Sequence, residues 1–94
     1  MNGHKFQIYG KEMCEYCDKA KELCSQYSLE FDYYSVDDRF EGKANLDALK
    51  EKASIDNLNI RTVPAIWHNG KFIGGFNELG TYIENTREFG QGGF

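Results

Sequence analysis

The sequence predicts one α/β domain of element order βαβαββα, a four-stranded mixed sheet flanked by three helices. Three observations point there. A strand-like segment, His4-Lys5-Phe6-Gln7-Ile8-Tyr9, gives way within a few residues to a helix-like one, Asp18-Lys19-Ala20-Lys21-Glu22-Leu23-Cys24. A β-rich run, Phe31-Asp32-Tyr33-Tyr34-Ser35-Val36, follows that helix, as a parallel strand-helix-strand unit requires. Near the end, Ala65-Ile66-Trp67-His68 and Lys71-Phe72-Ile73-Gly74 flank Asn69-Gly70, a pair suited to a two-residue hairpin turn.

The elements take their bounds from period and punctuation. Alternation over Lys5–Tyr9 makes the first strand, and Gly10 ends it. Cys17, Ala20, Leu23, Cys24 and Tyr27 recur at helical spacing, which sets the first helix at about Tyr16 to Tyr27. Asp37-Asp38 closes the second strand with turn-forming side chains. Leu46, Leu49 and Ala53 form one stripe of a second helix, Asn45 to Ala53. After Gly74-Gly75 a third helix runs from Asn77 to Thr86, with Asn77 as its N-cap and Phe76, Leu79 and Ile83 facing inward. The core is expected over about 4–87, with a loose glycine-rich tail over 88–94.

Composition narrows the function. The chain has 94 residues, 40% hydrophobic and 15% aromatic, enough for one core and too apolar for disorder. A net charge of −4 without a dominant Lys/Arg stripe argues against nucleic acid as a partner. No apolar run approaches the ~20 residues of a spanning helix, so no membrane role is expected. The start, Met1-Asn2-Gly3-His4-Lys5, carries no apolar leader, and a cytoplasmic location is the expectation. Three cysteines, an odd number, do not make the disulfide framework of a small secreted protein. A close pair plus one spare reads as a working dithiol with a bystander.

That pair is Cys14 and Cys17. Cys14 stands at a strand-to-helix junction, where free N–H groups and the positive end of the helix dipole stabilise a thiolate. Cys17 lies one turn along on the same side, near enough to form and break a disulfide. Cys14 is therefore the candidate nucleophile, expected to be the more exposed, and Cys17 the resolving thiol. Lys11 adds a favourable charge, whereas Glu12, Glu15 and Asp18 oppose it. Cys24, about 10 Å along the same helix from Cys17, is too far to bridge and reads as core. His4 and His68 are too few and too scattered to build a zinc site with the pair, so no metal is expected.

Two further stretches could face a substrate. Thr62-Val63-Pro64 holds the only proline of the chain, just before a strand. If the Val63-Pro64 bond is cis, the Val63 backbone can pair with an extended peptide near Cys14. Gly74-Gly75-Phe76-Asn77-Glu78 enters the last helix, whose first N–H groups can hold a carboxylate.

In combination these three motifs resemble the glutaredoxin family, over a stretch from about Lys5 to Arg87, and the topology resembles the thioredoxin-like fold. The arrangement is most similar to the short dithiol glutaredoxins of bacteria and their viruses. The resemblance implies a glutathione-dependent thiol–disulfide oxidoreductase with a cis proline at Pro64 and no tightly bound cofactor. Cys14 would form the mixed disulfide with glutathione, flanked by Tyr16. The Val63 backbone, between Thr62 and Pro64, would pair with the tripeptide. Lys11, with Arg61, would attract its glycine-end carboxylate. The N–H groups of Asn77 and Glu78 would hold the γ-glutamyl carboxylate, with the Glu78 side chain beside its ammonium group, and Gly75 and Phe76 would belong to the same glutathione site.

Two positions depart from the family pattern. Glu15 stands where proline is frequent, and Glu78 where aspartate is usual. The implied partners are glutathione and disulfide-bearing proteins, ribonucleotide reductase being the family's usual candidate, met by a monomer. Two alternatives stand beside this one. The same fold could be reduced by thioredoxin reductase, or a dimer could bridge a [2Fe–2S] cluster through two Cys14 thiolates and two glutathiones.

Overall fold

The chain runs β1 (Lys5–Gly10), α1 (Glu15–Gln26), β2 (Glu30–Ser35), α2 (Gly42–Ile55), β3 (Ala65–His68), β4 (Lys71–Gly74) and α3 (Phe76–Thr86), in the expected order. This computed structural model describes residues 5–86; His4, Arg87 and the tail over 88–94 lie outside the described residues.

The four strands form one sheet in the order β2-β1-β3-β4. β1 and β2 are parallel, in register from Lys5↔Glu30 to Gly10↔Ser35, because α1 returns the chain to the same end. β3 runs antiparallel to β1 from Phe6↔His68 to Tyr9↔Ala65. β4 folds back on β3 through Asn69 and Gly70, whose φ values of 52° and 88° are those a tight primed turn needs.

Alternation along the strands sends side chains to both faces of the sheet. Phe6, Ile8 and Ile66 pack on one face with Ala20 and Cys24 of α1 and Leu79 and Ile83 of α3. Tyr9, Ala65 and Trp67 pack on the other with Leu49 of α2. Each large apolar side chain buried in this way contributes about 1.5–3 kcal/mol. β1, apolar on both faces, is thus the rigid centre, and its C-terminal end delivers the chain to Cys14.

All three helices differ from expectation in their bounds, and α2 also runs on past Ala53 to Ile55. α1 begins and ends one residue early. α2 begins at Gly42 rather than Asn45, because the Asp38 carboxylate accepts the Phe40 and Glu41 N–H groups and the Asp38 carbonyl accepts that of Gly42. α3 begins at Phe76, so its N-cap is Gly75, and Asn77 lies inside the first turn. The Glu78 carboxylate takes the capping role instead, accepting the Gly75 N–H at 2.9 Å. Gly74 makes this possible. Its φ is 128°, and a Cβ there would come within 2.7 Å of the Glu78 side chain.

Candidate active site

Between β1 and α1 the chain makes a four-residue connection. Met13, fully exposed, adopts a left-handed φ of 52° and turns Cys14 into the N-cap position of α1. The Cys14 Sγ accepts the Cys17 N–H at 3.2 Å, the bond that a thiolate at this position would strengthen. The two sulfurs are paired as a disulfide, with Cα atoms 5.2 Å apart. Cys14 is partly exposed, whereas Cys17 has 0% exposure. An incoming sulfur therefore meets Cys14.

The charges around the pair are more balanced than the sequence suggests. Glu15 pairs with Lys19 at 3.6 Å and Asp18 with Lys21 at 3.5 Å along α1. Such exposed pairs add only about 0–1 kcal/mol of stability, but they place a cation beside two of the acids, Glu15 and Asp18, that would oppose a Cys14 thiolate. The Glu12 N–H is held by Asp37 Oδ1 at 2.9 Å. That bond, the Ser35 hydroxyl on the same carboxylate and the nearby Lys11 charge hold the Asp37 carboxyl below its usual range.

Beside the pair lies a cleft of about 290 Å³ lined by Tyr16, Thr62, Val63, Pro64, Gly75, Phe76, Asn77 and Glu78. Every one of these was singled out in the sequence, and the fold brings them together across three separate segments. The Val63-Pro64 peptide is cis, and Pro64 is buried. The β3 ladder begins at Ala65, so the Val63 backbone precedes it and lies at the cleft. The rings of Tyr16 and Phe76 stand 6.0 Å apart, tilted by 39°. Arg61 lines an adjoining hollow that shares Thr62, Pro64, Gly75 and Glu78 with the cleft. Lys11 lines neither; its side chain is exposed on the connection before Cys14.

The third thiol is elsewhere. Cys24 is wholly buried in the core between α1 and the sheet, and that burial pushes its thiol up to about 12, beyond the range of thiolate chemistry. Among the described residues, no group of three or more His, Cys, Asp and Glu side chains could hold a metal. Among them too, no helix is long and apolar enough to cross a membrane.

Sequence reasoning missed Gly10, Tyr33 and Asp37. A Cβ at Gly10 would lie 2.7 Å from the Cys17 sulfur, so the strand end read as a mere stop is the shelf on which that sulfur rests. The Tyr33 hydroxyl donates to the Lys11 carbonyl at 2.6 Å. Asp37 was read as a turn former, and it anchors the connection as well.

The comparisons agree with this geometry. The family model described as Glutaredoxin matches residues 6–73. Glutaredoxin 1 of Escherichia coli strain K12 is 35% identical over 82 residues, covering 84% of this chain and 92% of that protein. Glutaredoxin-1 of Rhizophagus irregularis is 36% identical over 72 residues, covering 77% of this chain and 66% of that longer protein. Among solved structures, a buckwheat glutaredoxin–glutathione complex superposes with a TM-score of 0.67 at 25% identity, over 94% of this chain and 74% of that one. With a buried and a partly exposed cysteine paired at the start of α1, and a family model that spans most of the chain, this protein belongs to the glutaredoxin family of thiol–disulfide oxidoreductases.

Proposed function

We propose that the protein reduces glutathione mixed disulfides and protein disulfides, with glutathione as its electron donor. The observation that carries this reading is the cleft beside Cys14. It holds peptide backbone at Val63, a helix N-terminus at Asn77 and Glu78, and an aromatic wall, the set that an extended anionic tripeptide would use. The glutathione bound to the buckwheat relative points the same way.

In the proposed cycle the Cys14 thiolate attacks the glutathione sulfur of a mixed disulfide. A Cys14–glutathione bond forms, and the other thiol leaves with the electron pair. A second glutathione thiolate then attacks the glutathione sulfur on Cys14, releasing oxidised glutathione and the Cys14 thiolate. A protein disulfide takes the longer route. There the Cys14 thiolate first opens the substrate disulfide, bonding one of its sulfurs and releasing the other as a thiolate. Cys17 then attacks Cys14 and frees the substrate as a dithiol, and two glutathiones reopen the Cys14–Cys17 bond.

The Val63 main chain would pair with the tripeptide backbone, and Tyr16 and Phe76 would flank it. Lys11 and Arg61 would draw the glycine-end carboxylate from outside the cleft. The Asn77 and Glu78 N–H groups would take the γ-glutamyl carboxylate. One Glu78 oxygen caps Gly75, which leaves the other for the ammonium group. The protein is read as a single-domain monomer of the cytoplasm without a resident cofactor, where a dithiol can be kept reduced. Ribonucleotide reductase as a protein substrate rests on the family alone.

The test is turnover of a small glutathione mixed disulfide, coupled to glutathione reductase and NADPH consumption. Turnover that disappears in Cys14→Ser is the expected result. No turnover by folded, reduced protein would overturn the glutathione reading and direct attention to thioredoxin reductase.

A further inference from the structure

Behind the redox pair, Gly10 and Tyr33 crowd against the Cys17 sulfur in a contact that the proposed cycle does not use. The position a Gly10 Cβ would take lies within 3.0 Å of the Cys17 sulfur, the Tyr33 hydroxyl and the edge of the Tyr33 ring. The hydroxyl and the sulfur are therefore separated by no more than twice that distance.

Three consecutive residues ahead of Cys14 are fastened to β2 and its exit. The Val36 N–H donates to the Gly10 carbonyl at 2.8 Å. Tyr33 Oη donates to the Lys11 carbonyl at 2.6 Å, and the Glu12 N–H donates to Asp37 Oδ1 at 2.9 Å. From outside, the Lys21 ammonium sits 4.1 Å from the Tyr33 ring centre and holds the ring against the connection.

We propose that Tyr33 and Asp37 are positioning residues for the resolving step, a splint that holds the Gly10–Met13 connection so that Cys17 faces the Cys14 sulfur. In that step Cys17, as thiolate, attacks Cys14 in a mixed disulfide. The Cys14–Cys17 bond forms, the bond from Cys14 to the substrate sulfur breaks, and the electron pair leaves on that sulfur. The proton Cys17 gives up and the one the leaving thiolate takes both exchange with water.

Attack requires the three sulfurs nearly in line, which the first turn of α1 alone does not secure. Cys17 is fixed by its helix and by the Gly10 shelf, so the variable partner is Cys14, at the end of a connection containing a left-handed methionine. Tethering Lys11 and Glu12 removes that freedom. The tether is durable because burial, then the Asp18, Glu12 and Asp37 carboxylates, push the Tyr33 phenol up to about 12, leaving it a neutral donor throughout the range of thiol chemistry. The inference rests on Cys14 and Cys17 as the redox pair and is independent of glutathione.

The test equilibrates reduced protein with 2-mercaptoethanol and its disulfide, quenches with acid, and measures by mass spectrometry the ratio of Cys14–Cys17 disulfide to mixed disulfide. Tyr33→Phe keeps the ring and removes one hydrogen bond, so the ratio is expected to fall about three- to tenfold. Asp37→Ala, an exposed substitution that reads the other tether if Tyr33→Phe does not fold, is expected to lower it about twofold. The exchange rate of Cys14 itself, measured in a Cys17→Ser background, moves less than the ratio does. An unchanged ratio in either folded variant overturns the splint. So does a parallel fall in Cys14 exchange, which would mean a general loss of structure. Absence of any mixed disulfide on wild-type Cys14 would instead remove the redox-pair reading, and the splint with it.

Discussion

The starts of α1 and α3 are two versions of one device. Each follows a strand, and in each a side chain accepts an N–H across the first helical turn, from the N-cap inward at α1 and from the first turn back to the N-cap at α3. At α1 the acceptor is the Cys14 sulfur, 3.2 Å from the Cys17 nitrogen. At α3 it is the Glu78 carboxylate, 2.9 Å from the Gly75 nitrogen. Both helix ends favour negative charge. What separates them is the chemistry of the acceptor. The sulfur of a partly exposed cysteine, which gains by ionising, becomes a nucleophile, whereas a carboxylate becomes part of a binding surface. The backbones differ to match. α1 is entered through a left-handed Met13, α3 through Gly74, whose missing side chain makes room for Glu78. The same local electrostatics thus serves reaction at one end of the cleft and recognition at the other.

The sharpest way to break this division is at the sulfurs. Cys14→Ser is expected to lower disulfide turnover at least about a hundredfold for every substrate, since a serine hydroxyl stays protonated at the same helix end. Cys17→Ser should retain turnover of glutathione mixed disulfides and lose reduction of protein disulfides. Parallel steady-state assays with the two substrate types check the pair, and equal activity in both variants contradicts the assignment.

At α3 the next largest effect belongs to Gly74→Ala. Its positive φ and the crowding of Glu78 together are expected to cost about 1–3 kcal/mol in urea unfolding. A loss below a few tenths would show that α3 does not depend on that entry. Glu78→Gln retains an oxygen for the Gly75 N–H and removes the charge. The glutathione KM is then expected to rise about two- to fivefold at constant kcat, the signature of lost binding at an exposed charge. A fall in kcat instead would put Glu78 in the chemistry and dissolve the division.

The smallest effect is a pH dependence confined to the connection that enters α1. Asp37 is held below the ordinary carboxylate range, chiefly by the Glu12 N–H and then by the Ser35 hydroxyl. A depressed folded value means that its contribution is present above the unfolded value of about 3.9 and is lost as pH falls through the lower folded one. Protection of the Glu12 amide against hydrogen exchange is expected to weaken on acidification below about pH 4 in the wild type, and to lose that dependence in Asp37→Asn. Equal behaviour in both proteins would remove Asp37 as the anchor.

How much of this could be read from the sequence depends on the range of the interaction concerned. The β3–β4 hairpin was legible from end to end, because Asn69-Gly70 is a local conformational demand. The cleft residues were legible through motifs, although their meeting is a product of the parallel crossover and the hairpin. The α2 start was not, since Asp38 begins that helix with polar bonds that leave no apolar period. Nor was the cap of α3. Asn77 is a good capping residue by type, and the choice fell to Glu78 because Gly74 bends the chain one residue earlier. Gly10 and Tyr33 were out of reach for a different reason. Nothing along the chain distinguishes Tyr33 from Tyr34; only the pairing of β1 with β2 puts one of them behind Cys17.

The most direct measurement treats reduced Cys14→Ser and Cys17→Ser proteins with oxidised glutathione and locates the adduct by peptide mass spectrometry. One glutathione on Cys14 in Cys17→Ser, removable by reduced glutathione, with none on Cys17 in Cys14→Ser, is the result predicted. An adduct on Cys17, or none on Cys14, would contradict the account that the sulfur capping α1 is the one that reacts.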